Sequence, residues 1–219
     1  MIKFPKKLVS DRPKIKDVLQ SIWNEFIYGG HLLSLGASSI VFTSALLLEI
    51  KITWDCLLMV YLGMESAYLY NRYKDFKKDL LTNPERTRYL ERYISKIPLI
   101  ICIFAALIVG LLIHFTNLKA ILFTLFLLLM SFLYSKIFKA LTAKILGFKN
   151  IFVSLMWGSL VIFLVVYYSL PLQTSVLLVF LFVFLRFFIN TSFFDIKDIE
   201  SDKKENLLTL AVVWGERKL

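Results

Sequence analysis

Two groups of carboxylates stand where long apolar runs give way to charge, and their spacing suits a hard cation and a phosphate. The first reads Asn71-Arg72-Tyr73-Lys74-Asp75-Phe76-Lys77-Lys78-Asp79. At about 100° per residue, Asn71, Asp75 and Asp79 stay within about 80° on one helical face. The second runs from Asp195 to Asp202, and Asp195, Asp198 and Asp202 fall within about 60° of one another. Ionised carboxylates on one face repel each other, and a bound divalent cation relieves that conflict. Mg²⁺ favours a few carboxylates with water and substrate phosphate over a closed protein cage. Two such groups facing each other across a cavity would grip a diphosphate, with nearby Lys and Arg meeting the phosphate charge that the metal leaves. The plainer reading of each group is a solvated helix end of mixed charge. Their occurrence at two equivalent places in the chain favours the metal.

The elements that must position these groups are apolar helices. The chain has 219 residues, of which 58% are hydrophobic and 19% charged, and its mean hydropathy is +0.70. A soluble domain keeps about 25% of its residues charged, so the excess apolar surface implies a lipid solvent. Six stretches approach the roughly 20 apolar residues of a membrane-crossing helix: 31–49, 52–70, 97–115, 119–135, 151–170 and 173–194. Asp55 and Glu65 interrupt the second, and Arg186 lies inside the sixth. Ionisable residues at such depth face protein or a water-filled cavity, so Glu65 and Arg186 are a candidate interhelical pair, the alternative being separate partners. The first and second, third and fourth, and fifth and sixth stretches should form antiparallel hairpins, because their connections are short.

The net charge of +10 reports topology. Of the 26 Lys and Arg, 23 fall in residues 1–30, 71–96, 136–149 and 195–219. Every second connection is therefore basic, which the positive-inside rule assigns to the cytoplasm together with both termini. This distribution argues for membrane lipid and against nucleic acid as the partner. No cleavable signal is expected before a polar segment of this length. Cys56 and Cys102 fall in apolar stretches without a metal-type neighbour and are expected to be buried thiols. His31 and His114 are isolated, and neither can build a zinc site alone.

The paired motifs resemble those of the UbiA superfamily of intramembrane prenyltransferases. Asn-x-x-x-Asp-x-x-x-Asp follows the second stretch and Asp-x-x-Asp-x-x-x-Asp follows the sixth. Asn83-Pro84-Glu85-Arg86, Tyr134-Ser135, Lys149-Asn150, Trp157-Gly158, Thr209-Leu210 and Gly215 also resemble family segments. Arg72 stands where many members carry a further Asp, and Ala211 where Pro is usual. Members usually have nine spans, so the resemblance implies a C-terminally incomplete UbiA-like domain over 1–219. Within it, 1–30 would be a cytoplasmic segment, 31–194 the six spans with their loops, and 195–219 the second motif and tail.

The resemblance implies an all-α polytopic bundle that transfers a prenyl group from an allylic diphosphate to a lipophilic acceptor, in the cytoplasmic membrane of a prokaryote. Asn71, Asp75, Asp79, Asp195, Asp198 and Asp202 would hold Mg²⁺, with Asp75, Asp79, Asp195 and Asp198 central to catalysis. Arg72, Arg86, Lys136, Lys139 and Lys149 would contact the diphosphate, although each is equally a positive-inside determinant. Tyr68, on the helical face of Asn71 and Asp75, and Tyr134 are candidate contacts for an allylic cation or acceptor, since an aromatic face stabilises a cation by about 0.5–2 kcal/mol. A carbocation needs a closed, dry cavity, so six spans alone are expected to show little transfer, unless an oligomer closes them. The rival readings are an inactive paralogue that binds cation and diphosphate without turnover, a phosphoalcohol transferase, whose Gly and Ala-Arg signatures this chain lacks, and a transporter.

Overall fold

The computed structural model describes residues 15–215, and within them all side chains except those of 78, 81, 82, 135, 136 and 139. Twelve α-helices make up the described chain: α1 (Ile15–Tyr28), α2 (His31–Leu47), α3 (Trp54–Lys74), α4 (Phe76–Thr82), α5 (Pro84–Glu91), α6 (Ile97–Phe115), α7 (Leu118–Leu133), α8 (Lys139–Leu141), α9 (Phe148–Tyr167), α10 (Thr174–Phe194), α11 (Ile199–Lys204) and α12 (Leu210–Trp214). No strand occurs among the described residues. The six apolar stretches correspond to α2, α3, α6, α7, α9 and α10, with ends shifted by a few residues.

By length and composition, the segments Ile94–Phe115, Phe148–Tyr167 and Thr174–Lys204 can cross a membrane. The pair α1 and α2, bent by 60°, makes a fourth if it is one span. Two of the expected spans fall short on these criteria. α3 carries Asp55, Glu65, Arg72 and Lys74 in its 21 residues, and α7 has only 16. The polar residues of α3 are not wasted, because Asp55 and Glu65 are 5% and 1% exposed and point into the bundle.

α3 and α9 form two walls of the bundle. α2 packs against both from one side and α7 from another, while α6 flanks α3 and α10 flanks α9. Small residues on α2 (Ser34, Ala37, Ser38, Ala45) are buried, which lets helices approach closely. Ser34 donates to Glu65 Oε2 at 2.5 Å, and Ser38 to the Leu57 carbonyl at 3.0 Å. His31 Nδ1 lies 3.6 Å from Glu65 Oε1 and 2.6 Å from the Tyr61 hydroxyl. Glu65 therefore finds its partners on α2, and the expected pair with Arg186 is not formed. Arg186 is exposed on α10. Cys56 is buried as expected, whereas Cys102 is exposed on α6.

At the end of the bundle away from the aspartate motifs, the turns are stapled to one another. Asn117 caps α7 by accepting from Ala120 N–H at 3.0 Å and donates to the Val166 and Tyr167 carbonyls at 3.2 Å. The Tyr168 hydroxyl accepts from the Thr53 backbone N–H at 2.8 Å.

α9 and α10 pack tightly at Gly158, where a Cβ would lie 2.9 Å from the Phe180 ring. Overpacking such a site destabilises by about 1–3 kcal/mol. Gly158→Leu should therefore lower the thermal unfolding midpoint of the detergent-solubilised protein, and adding Phe180→Ala in the same chain should recover most of the loss.

Candidate active site

Three segments converge at one end of the bundle: the chain after α3, the connection between α7 and α9, and the chain after α10. α3 stops at Asp75 (φ −92°, ψ 12°), and α4 starts afresh at Phe76. α5 then begins at Pro84, a first-turn position where proline loses no hydrogen bond. The break lets Arg72, in the last turn of α3, reach Asp79 with Nη1 2.7 Å from Oδ2. Arg86, from α5, reaches the same oxygen with Nη2 at 3.2 Å. One carboxylate thus holds two guanidiniums, and all three side chains are less than a fifth exposed. Burial, and then the charge of Arg72, lowers the pKa of Arg86 from its ordinary value. The Nε atoms of Arg72 and Arg86 are buried and have no hydrogen-bond partner among the described residues. The cluster is short of an anion.

After α10 the chain tightens into a 3₁₀ turn, Asp195–Asp198. Asp195 turns toward α9, where its Oδ1 takes Lys149 Nζ at 2.5 Å and its Oδ2 takes Asn150 Nδ2 at 2.9 Å. Lys149 Nζ is also 3.9 Å from Asp202 Oδ2, an oxygen that is buried without a hydrogen-bond partner among the described residues. The Asn150 Oδ1 atom is likewise unpartnered. Donors without acceptors stand on the α3–α5 side, and acceptors without donors on the α9–α11 side.

The loop between α8 and α9 is held by the chain after α11. Gly147 N–H donates to the Leu208 carbonyl at 2.9 Å, and Leu208 N–H to the Thr142 carbonyl at 2.8 Å. Gly147 has φ +67°, and a Cβ there would press on Leu210 at 3.3 Å. These contacts fix where Lys149 leaves the loop to enter α9.

Between these segments lies a polar cavity of about 260 Å³. Asn71, Arg72, Asp75, Asp79, Arg86, Tyr134, Lys149, Asp198 and Asp202 all line it. A second cavity of about 280 Å³ runs from there into the bundle between α3, α7 and α9, with almost wholly apolar walls. Asn71 and Tyr134 belong to both, so polar and apolar spaces meet at these two side chains. Tyr68 lines the apolar space and carries the Arg72 guanidinium 4.7 Å above its ring. Tyr134 stacks on Phe152 with ring centroids 5.0 Å apart. A charged head with a long hydrocarbon tail would match both spaces at once.

Sequence comparison settles the family. The model of the UbiA prenyltransferase family matches residues 32–219. The chain belongs to that family. A search of curated proteins gives no sequence match. Among solved structures, a digeranylgeranylglyceryl phosphate synthase described in membranes superposes with a TM-score of 0.67 at 19% identity, over 91% of this chain and 71% of that one. At that identity the likeness shows the shared fold. Apolar helices and family membership together make this an integral membrane protein.

Within this UbiA-family site, the expected ligands divide into two sets. Asn71, Asp75, Asp198 and Asp202 line the cavity, together with Asp79. Asp79 is committed to Arg72 and Arg86, and Asp195 lies behind the wall, committed to Lys149 and Asn150. Among the described residues, no three Asp, Glu, His or Cys side chains are close enough to hold a metal ion between them. The open Asp202 oxygen and the acid-lined cavity instead suit a hard cation that takes its remaining ligands from phosphate and water. Lys136 and Lys139 lie outside the residues whose side chains are described.

Lys197, Thr142 and Ser201 also line the cavity and were not singled out from sequence; Asn83 lines it too and was noted only within the segment Asn83-Pro84-Glu85-Arg86. Lys197 sits inside the second motif, where reading only the acids hid it. The other three are polar residues of loops and short helices, for which sequence carries no periodic signal.

Removing the acid at Asp195 would strand Lys149. Breaking such a largely buried pair costs on the order of 3 kcal/mol. Asp195→Ala should lower the unfolding midpoint more than Asp195→Asn, which keeps an acceptor for Lys149, as read by thermal unfolding in detergent.

Proposed function

We propose that the protein is a Mg²⁺-dependent prenyltransferase that moves the prenyl group of an allylic diphosphate onto a lipophilic acceptor, aromatic or otherwise. The observation that carries this reading is the junction at Asn71 and Tyr134 of a polar cavity lined by both cations and acids with an apolar one. An allylic diphosphate has that shape and that chemistry. Family membership supports the same reaction class.

Asp75 with Asn71 on one wall, and Asp198 with Asp202 on the other, would each offer oxygens to Mg²⁺, which when bound would supply charge neutralisation to the leaving diphosphate. Arg72, Arg86, Lys149 and Lys197 supply fixed positive charge and N–H donors to the leaving oxygens. Such preorganised donors act most strongly where charge develops during the reaction. Asp79 and Asp195 serve by orienting these cations, through Asp79 Oδ2 and through both oxygens of Asp195. At the junction, the faces of Tyr68 and Tyr134 stand where positive charge would appear on the allylic carbon. The apolar walls behind them exclude water, which would otherwise capture that carbon.

For the topology, the basic connections support six crossings with the site end and both termini in the cytoplasm. α3 and α7 would cross with their polar faces turned into the bundle, and α1 would lie on the site side. The cytoplasmic membrane of a prokaryote is the proposed location. Single cysteines placed in 80–90 or 140–148 should react with an impermeant thiol reagent only after sealed cells are permeabilised. Labelling of either segment from outside would overturn this topology.

Substitutions test the site directly. Asp75→Asn and Asp198→Asn should each abolish Mg²⁺-dependent diphosphate binding measured by calorimetry. Arg86→Ala should weaken it by roughly 10- to 100-fold, the worth of a charged hydrogen bond. Mg²⁺-dependent diphosphate binding without product from a panel of acceptors would support the inactive-paralogue reading.

A further inference from the structure

The apolar cavity is framed on three sides by helices that all enter it at the polar junction and run to the same depth. On α3 its lining extends from Asn71 to Met59, along α7 from its C-cap Tyr134 to Thr124, and on α9 from Phe152 to Phe163. At about 1.5 Å of rise per residue, these runs are about 18, 15 and 16 Å long. The three walls agree.

The cavity ends on packed core. Met59 and Phe163 are 2% and 3% exposed, and both belong to the buried cluster formed with Cys56, Leu112, Ala120 and Leu164. Phe163 rests on the Tyr167 ring, with centroids 5.5 Å apart, and the Tyr167 hydroxyl is in turn bonded to buried Asp55. A hydrocarbon chain that reaches Phe163 meets a wall that cannot yield without opening the core.

Part-way along stands Gly63, eight residues or about 12 Å below Asn71. It lines the cavity, and a Cβ built there has no atom within 4 Å. Its neighbours on the same stripe of α3, Val60, Met64 and Ala67, carry side chains. The missing side chain at 63 keeps the channel continuous between its upper part and its floor.

We propose that this cavity is a length gauge for the donor, set by Gly63 as the open gate and by Phe163 and Met59 as the floor, and that its preferred substrate carries three isoprene units. Carbon–carbon single bonds are about 1.5 Å long. An extended four-bond isoprene repeat therefore advances about 5 Å, and a depth of 15–18 Å accepts three repeats and no fourth. This rests on the reading of the apolar cavity as the seat of the prenyl tail. It adds which allylic diphosphate the site takes.

The test uses the full chain in detergent or nanodiscs with Mg²⁺, and measures binding of inorganic diphosphate and of the non-reacting thiodiphosphate analogues of geranyl, farnesyl and geranylgeranyl. Binding is read by calorimetry, so no acceptor is required. Farnesyl should bind at least about tenfold more tightly than geranyl, because each buried methylene adds to affinity. Geranylgeranyl should bind more weakly than farnesyl. Gly63→Leu should erase the preference for farnesyl over geranyl, and its unfolding midpoint should stay near that of the parent, since the new side chain enters empty space. Phe163→Ala should move the optimum to geranylgeranyl. Affinity that rises or stays level from farnesyl to geranylgeranyl, or a farnesyl preference that survives Gly63→Leu, overturns the gauge. If inorganic diphosphate binds while the three tails are indistinguishable, only the gauge falls. If no diphosphate binds at all, the prenyltransferase reading falls with it.

Discussion

A guanidinium or ammonium group held in a largely buried site needs a fixed counter-charge. Left alone in a low-dielectric site, the cation would lose its hydration without compensation. This protein meets the constraint twice, with Asp79 beneath Arg72 and Arg86, and with Asp195 behind Lys149. Asp79 lies in α4, one turn past the break after α3, and Asp195 lies at the break after α10. At each break the backbone turns, and the acid can point at a cation on another element. Much else follows from these two clusters: the placement of α4 and α5 over the site, the grip of α9 on α10, and the cations that face the cavity.

The same division separates the aspartates that hold a cation from the other aspartates of the cavity. An acid that orients a cation cannot also offer the same oxygen to a metal. Asp79 and Asp195 hold cations on neighbouring elements, while Asp75, Asp198 and Asp202 line the cavity.

The aromatic residues connect this polar chemistry to the hydrocarbon interior. Tyr68 supports Arg72 on one face and borders the apolar cavity, and Tyr134 stacks on Phe152 and borders both spaces. Each ring presents an apolar body and a polar tip at the one depth where both are needed. Farther in, Trp157 lines the apolar wall and stacks on Phe187 of α10 at 4.2 Å, so the wall is braced by the neighbouring helix.

Much of this was legible in the sequence, because lipid imposes simple rules. Apolar runs about 20 residues long must be helices, and all six expected stretches are helical. Acidic motifs at two equivalent ends had to meet if the hairpins packed as a bundle, and they line one cavity. What sequence could not supply was direction around each helix once regular geometry failed. The even 100° step placed Asp195 with Asp198 and Asp202, but the 3₁₀ turn sends Asp195 toward Lys149. The same step carried Asn71, Asp75 and Asp79 along one helix, yet the break at Asp75 is what brings Asp79 under two arginines. Glu65 and Arg186 looked like a pair because both were charges in apolar runs, and only packing showed Ser34 and His31 on the facing helix. Lys197, hidden among acids, and the depth of the apolar cavity also waited on tertiary structure. Helix existence is a local property of composition and length. Which side chains meet depends on breaks, turns and neighbours that no single segment encodes.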